Sequence, residues 1–413
     1  MSEAAKTSGA ARVRVAGAPE AAGTSKPAAS PQAQGLPEGA LVVYVSFPFT
    51  LKSPSYGPGQ PYIADSAAKA AYVDALEAEL ASLDEDVRAR PVVAVRLGGG
   101  ASIAKADKVC KLVRDIRSTL NVVPRAEISI EVNPLTVGTP SLTDWTSCGI
   151  NRVLLVARSV HDDELTTLGT SHVRQDVDNA LRFLALFRMT RIDMRLTYGL
   201  PGQTSDSWKK TLLTAVDEGV EHITALPLVD DAPERAKDLP NDAAREAMAG
   251  LAREVLGAHG YREYAIGRFV RTAAPHAVDR FDVAVRAGAG QLGLGALARS
   301  SFDGFLYENT GDFDEYVAHS AEFDRIVRDP RREGAAATQA RRAQAAFDEL
   351  APFTPGADAA DTADGKPAPE LLSWLNDLAG SGCAERDPRT GAWSLTPAGR
   401  ARRARELGAQ ELL

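Results

Sequence analysis

From residue 40 to residue 229, short apolar runs alternate with longer amphipathic segments. The runs are LVVYVSF (41–47), VVAVRL (92–97), EISIEV (127–132), RVLLVA (152–157), RIDMRLTY (191–198) and HITALPLV (222–229). Most of the segments between them repeat apolar residues at helical spacing. Over 174–188, Val177, Leu181, Leu184 and Phe187 fall on one stripe, the mark of a helix with one buried face. Strand–helix alternation of this kind predicts an α/β fold, a parallel sheet with helices packed outside it. Six strands are too few to close an eight-stranded barrel, so the expectation is an open, partial (β/α)6 TIM-type barrel. Functional groups then belong at the carboxyl ends of the strands.

After residue 229 the alternation fades. DDAPERAKDLPNDAA (230–244) reads as an exposed connection. A helix over about 241–259 leads into an irregular, Gly-rich extension that ends near 326. Residues 327–368, Arg/Ala-rich and then Asp/Ala-rich, read as a linker region around one helix. Residues 369–413 read as helix, hairpin and helix, the outline of a small winged helix. Thr396 suits the N-cap of the last helix and Pro397 its first position. Residues 1–39 are rich in Ala, Pro, Gly, Ser and Gln and bury too little apolar surface to offset their ordering entropy. They read as a disordered tail.

Composition narrows the functional classes. The 413 residues are 44% hydrophobic, enough for a sizeable core, and carry a net charge of −8, which gives no general pull toward nucleic acid or anionic membrane. No apolar run is long enough to span a bilayer. The three cysteines, Cys110, Cys148 and Cys383, are widely spaced and odd in number. They suggest neither a disulfide framework nor a C-x-x-C metal site, and fit a reducing cytoplasm. The N-terminal segment lacks the apolar core of a signal peptide. Arg12 and Arg14 suit a transit peptide, whereas Glu3 and Glu20 argue against one.

Four stretches follow or end predicted strands: RLGGGAS (96–102), EISIEVNP (127–134), GINRVLLVARSVHDDELTTLGTSH (149–172) and TYGLPGQTSDSW (197–208). In this order and spacing they resemble the oxygen-independent coproporphyrinogen III oxidase family of radical SAM proteins, which includes the HemW-type haem chaperones. The resemblance covers about residues 41–316, together with the terminal SLTPAGR. It implies a first loop of the form F-C-x-x-x-C-x-Y-C, whose three thiolates bind a [4Fe–4S] cluster while SAM takes the fourth iron. Here that loop is Phe49-Thr50-Leu51-Lys52-Ser53-Pro54-Ser55-Tyr56-Gly57, with Thr50, Pro54 and Gly57 in the cysteine places and Tyr56 retained. Iron–sulfur clusters need thiolate ligands, and these residues supply none.

The same resemblance assigns a relic SAM pocket. Gly98, Gly99 and Gly100 keep the loop that meets the SAM amino group, and Glu131 keeps the strand-three carboxylate. Arg158 stands in place of a glutamine, Thr170 in place of an arginine and Arg195 in place of an aspartate. Positive charge at Arg195 opposes the sulfonium of SAM. The family's haem motif H-N-x-x-Y-W is reduced to HAVDRF (276–281), in which His276 alone remains as a candidate axial ligand. GLGALARSS (293–301) carries Arg299 in a histidine place, and YEN (307–309) retains part of another motif.

Each feature also has a structural reading. The glycine triplet can be a tight turn, GLPGQT a turn and helix start, and His276 a surface histidine. Asp193 and Arg195 leave one strand face and can form a local ion pair. Alternatively, Arg96, Arg158 and Arg195, set against Glu131 and Asp193, form a basic mouth suited to porphyrin propionates. Arg400, Arg402, Arg403 and Arg405 read as a solvated helix face rather than a nucleic-acid surface. The resulting expectation is a tetrapyrrole-binding or trafficking protein without a cluster, without SAM and without radical catalysis, with haem as its one candidate cofactor. A pseudoenzyme scaffold for a protein partner is the alternative. Non-radical chemistry in the old pocket is a further one, although no nucleophile–base pair in the sequence supports it.

Overall fold

A computed structural model describes residues 35–53, 55, 65–189, 191–230, 235, 237–357 and 367–410. Most of the segment expected to be disordered, and Pro54, Tyr56 and Gly57 of the first loop, lie outside the described residues.

Strands β1 (Leu41–Phe47), β2 (Val92–Gly99), β3 (Val122–Val132), β4 (Arg152–Arg158), β5 (Ile192–Tyr198) and β6 (His222–Pro227) pair in sequence order, all parallel. Helices between them cover the outer face, among them Ser66–Ser82, Ala106–Thr119, Arg174–Leu186 and Ser205–Asp217. The parity of the strands explains why. On β3, Ile128, Ile130 and Val132 join the main core with the helix residues, while Glu127, Ser129 and Glu131 leave the other face. On β5, Met194, Leu196 and Tyr198 pack outward, and Asp193, Arg195 and Thr197 point inward. The outer stripe Val177, Leu181 and Leu184 is buried as its spacing predicts.

The sheet is wider than the six apolar runs. The Gly-rich extension, expected to be irregular, contributes β7 (Tyr261–Ala265), β8 (Arg268–Arg271), β9 (Gly290–Leu294), β10 (Arg299–Phe302) and β11 (Phe305–Asn309). Residues Val327–Arg332, read as linker, form β12, and helix Ala335–Asp348 follows. Together they make one open sheet of 12 strands, ordered β12-β11-β10-β9-β1-β2-β3-β4-β5-β6-β8-β7. β9 adds to β1 in parallel, and the strands beyond β9 and β6 run antiparallel. These strands are short and mixed in polarity, so their pairing is set by distant partners rather than by local pattern.

The inner face is polar and is filled by the chain itself. Arg96 donates to Asp279 (2.7 and 2.6 Å) and to Asp282 (3.0 Å), with its guanidinium 4.3 Å above the Phe281 ring. Arg268 reaches Asp282 at 3.0 Å, and Arg152 donates to the Ala277 carbonyl at 2.8 Å. Asp279 and Asp282 thus neutralise Arg96 and Arg268, while Glu127, 3.4 Å away, neutralises Arg152, as buried charges require. At the other end of the network, Asp193 accepts from Thr224 and contacts His222 at 2.8 Å, and the far nitrogen of His222 lies 2.9 Å from the Tyr264 hydroxyl.

The tail is a helix (Pro369–Gly380), a hairpin of β13 (Ala384–Arg386) and β14 (Trp393–Leu395), and a helix (Pro397–Gln410). Thr396 caps the last helix by accepting from the Gly399 N–H at 3.1 Å. A separate apolar cluster of Phe347, Leu371, Leu375, Leu378 and Trp393 joins this module to helix Ala335–Asp348. The terminal helix lies across the end of β6, where a Cβ on Gly408 would come within 2.6 Å of the Pro227 carbonyl. Arg403 pairs with Asp348, and Arg405 with Asp242. Part of the arginine face is therefore committed to carboxylates of the same chain.

Candidate functional site

The carboxyl ends of β1 to β6 enclose a cavity of about 240 Å³. Its walls include the loop after β1, Gly99 and Gly100, Glu131, Arg158, His172 and Arg195, with Gly408 of the terminal helix at the rim. Sequence reasoning placed five of these here: the two glycines, Glu131, Arg158 and Arg195. It did not place Lys52, His172 or Gly408, which also line the cavity. His172 closes the quoted LGTSH stretch, so its position was legible. Nothing in the sequence signalled that the last helix would fold over the mouth.

The glycine triplet is shaped by the strand beside it. A Cβ on Gly98 would lie 2.2 Å from the Tyr44 hydroxyl, and one on Gly100 would lie 2.3 Å from the Phe49 carbonyl oxygen. Gly99 has φ +62, and a Cβ there would meet the Phe47 carbonyl oxygen at 2.4 Å. The Phe47 carbonyl in turn accepts from Gly100 N–H and Phe49 N–H, both at 2.8 Å. The close approach is therefore of backbone to backbone.

Glu131 is engaged on both oxygens. One accepts from the Gly99 N–H at 2.8 Å, the other from Arg195 at 3.0 Å. Arg195 also lies 3.6 Å from the Asp193 carboxylate. Burial pushes the Asp193 carboxyl up, but His222, Arg195 and Arg152 outweigh it and hold it below the usual carboxylate range. Arg158 ends β4 with φ 60, a conformation rare for a residue with a side chain. The Nε2–H of His172 donates to the Ala157 carbonyl at 3.1 Å. Burial lowers its proton affinity, and the charge of Arg158 lowers it further. Among the described residues the wall thus carries Lys52, Arg158 and Arg195 against one carboxylate, Glu131.

Arg96 does not join this mouth; it pairs with Asp279 and Asp282 deeper in the bore. His276 lies at the opposite end of the barrel. Its side chain is 54% exposed and its Nε2 is 3.3 Å from Glu221, the residue before β6 begins. The six residues of β6 put roughly 20 Å between that end and the cavity. His276 therefore cannot bind one ligand jointly with Arg158 and Arg195.

Other motif residues are used structurally. Gln203 of GLPGQT accepts from the Gly199 N–H at 2.8 Å, and Thr204 caps the next helix. Asn133 caps the turn after β3 and donates to Ser171 at 2.9 Å.

The chain matches no family model. It is 31% identical to the haem chaperone HemW of Synechocystis sp. over 209 residues, 48% of this chain and 50% of the relative. The chain is a homologue of the HemW haem chaperones. It is also 27% identical to the mitochondrial radical S-adenosyl methionine domain-containing protein 1 of Danio rerio over 275 residues, 63% of this chain and 60% of the relative. These matches span roughly half to three-fifths of the relatives' lengths. The fold is that of coproporphyrinogen III oxidase HemN from Escherichia coli, a radical SAM enzyme. The two superpose with a TM-score of 0.71 over 92% of both chains, at 20% identity. The partial barrel expected from the strand pattern is thus the fold of this chain.

The donor set here does not fit a [4Fe–4S] cluster. Thr50 is an alcohol whose hydroxyl donates to the Lys52 carbonyl at 2.7 Å, and the chain has no cysteine in this loop. Cys110 and Cys148 are buried together beneath the outer helices, where burial and the neighbouring thiol push Cys110 up to about 12. Cys383 is buried in the tail. SAM fits poorly as well, because Arg195 holds the carboxylate that a cationic ligand would need.

Proposed function

We propose that this chain binds or carries a tetrapyrrole and does so without radical chemistry. The observation that carries the non-radical part is the closure of Glu131 by Arg195 and the Gly99 N–H. A carboxylate that could hold a cationic cofactor is instead part of an internal ion pair, and the cavity wall keeps an excess of cations. The names of the relatives, haem chaperones and a coproporphyrinogen oxidase of the same fold, support the ligand class. The three cysteines are free and buried, which supports a reducing compartment, the cytoplasm. Among the described residues no helix is long and apolar enough to cross a membrane.

Two measurements test this reading. Anaerobic treatment with iron and sulfide should leave the protein colourless. Stoichiometric iron and sulfide with a cluster absorption band would overturn the non-radical part. Titration with haemin should show saturable binding at one equivalent. No saturable binding would overturn the tetrapyrrole part and favour a scaffold that binds a protein partner.

A further inference from the structure

The cavity at the mouth is small for a tetrapyrrole. Ligand pockets for molecules of drug size run from about 300 to 1,000 Å³, and this one is about 240 Å³. A second concavity of about 1060 Å³ lies at the opposite end, where β1 and β9 begin. Its walls come from residues 36–40, the turn 285–290, strands β10 and β11, and helix Ala335–Asp348. Beside the walls of the mouth, this groove has the room that a planar macrocycle needs.

Its chemistry suits such a ligand. Among the described residues six arginines line it, Arg90, Arg286, Arg299, Arg331, Arg341 and Arg342, against four carboxylates. Glu349, which pairs with Arg286 from behind the lining, lowers the formal excess to one positive charge, and the exposed arginines are the donors that would meet propionates. Several arginines are already oriented by carboxylates, Arg90 by Asp303 at 2.6 Å and Arg299 by Glu308 at 3.0 Å. Arg286 is also paired, with Glu349, and its guanidinium lies 5.7 Å from the Tyr264 ring. Its side chain is nine-tenths buried, its Nε lies 3.5 Å from Glu349, and its Nη2 has no hydrogen-bond partner. A buried guanidinium nitrogen without an acceptor is unfavourable by itself and is relieved by an anion. Apolar surface is provided by Val285, 37% exposed, and by Leu306, Phe302 and Tyr307.

Among the described residues the lining contains no histidine, cysteine or methionine. The Tyr307 phenol is pushed up to about 12 by burial, so it stays protonated at neutral pH. The groove therefore offers contacts to the ring and its carboxylates, and none of the usual ligands to a central metal.

Resting on the tetrapyrrole reading above, we propose that this groove is the tetrapyrrole site, and that it takes a porphyrin dicarboxylate by its propionates and its apolar face, independent of the metal. His276 plays no part in this binding.

The test uses the full chain, with haemin and metal-free protoporphyrin IX as separate probes, titrated by absorbance and by fluorescence quenching. Both probes should bind with similar affinity, within about threefold, and more weakly as salt is raised. The double variant Arg299→Glu and Arg331→Glu, at two exposed positions, shifts the charge of the groove by four units toward negative. It should weaken both probes at least about tenfold. The same charge change in the tail hairpin, Arg386→Glu with Arg389→Glu, should leave affinity unchanged, as should His276→Ala. Arg331→Glu alone repeats the measurement should the double variant be unstable. Unchanged affinity in the groove variants overturns the proposal. Binding of haemin alone, lost in His276→Ala, overturns it too, while the tetrapyrrole reading stands. Binding of neither probe sinks both.

Discussion

Replacing Glu79 with glutamine should remove a large pH dependence of stability. Glu79 lies on helix Ser66–Ser82 and is 6% exposed. Its carboxylate receives the Gly295 N–H at 2.8 Å, the Asn309 amide at 2.7 Å and the Tyr316 hydroxyl, tying the first helix to the β9–β11 extension. Burial pushes its carboxyl from 4.5 up to about 7, against those three hydrogen bonds, which pull it down. The folded protein therefore binds this proton more tightly than the unfolded chain. That contribution to stability is complete below the unfolded value of 4.5 and is lost as pH rises through about 7. At about 1.4 kcal/mol per tenfold change in proton affinity, it amounts to roughly 3 kcal/mol over the whole range. Between about pH 5 and pH 8.5 some 2 to 3 kcal/mol of it should disappear.

Glu79→Gln keeps the shape and does not titrate. The amide alters the hydrogen bonds at all pH values alike, so the offset between the two proteins is uninformative and its slope is the observable. Urea unfolding of both proteins, followed by circular dichroism across this range, should show the variant gaining about 2 to 3 kcal/mol relative to wild type as pH rises. Glu127, another buried carboxyl raised to about 7, contributes equally to both proteins and cancels. A stability difference that stays constant from about pH 5 to pH 8.5 would refute the assignment of a raised proton affinity to Glu79.

Two further results are expected. Calorimetry with SAM should show no saturable heat in the micromolar range. Arg195→Ala should lower stability by about 3 to 5 kcal/mol, because it strips a nearly buried partner from Glu131; tight SAM binding by the wild-type chain would contradict the closed-carboxylate reading. Gly98→Ala should destabilise the fold by about 1 to 3 kcal/mol through contact with Tyr44, and Tyr44→Ala in the same chain should recover part of that loss. No recovery would mean that the Tyr44 side chain is not what excludes a methyl group at Gly98.

The six parallel strands, their order and the outer helices were legible in the sequence, because each depends on a local period. An apolar run flanked by turn residues makes a buried strand wherever it lies, and a stripe at helical spacing buries one face. The missing thiolates were equally legible, because ligand chemistry belongs to residue type and no packing converts Thr50 into a sulfur donor. Terminal features with local causes, such as the Thr396 cap, belong to the same class.

What tertiary structure alone decided is which charges meet. Glu131, Asp193 and Arg195 were each visible, yet whether they formed a mouth for an anion or a closed ion pair depended on distances across two strands. Arg96 belonged on sequence grounds with Arg158 and Arg195, but Asp279 and Asp282, more than 180 residues away, claim it. His276, read from a separate motif as a candidate haem ligand, lies at the far end of the barrel. The strands of the extension and the groove they wall escaped detection for the same reason. Their residues gain stability only from partners supplied by other parts of the chain, and pairings between distant segments leave no period in the sequence.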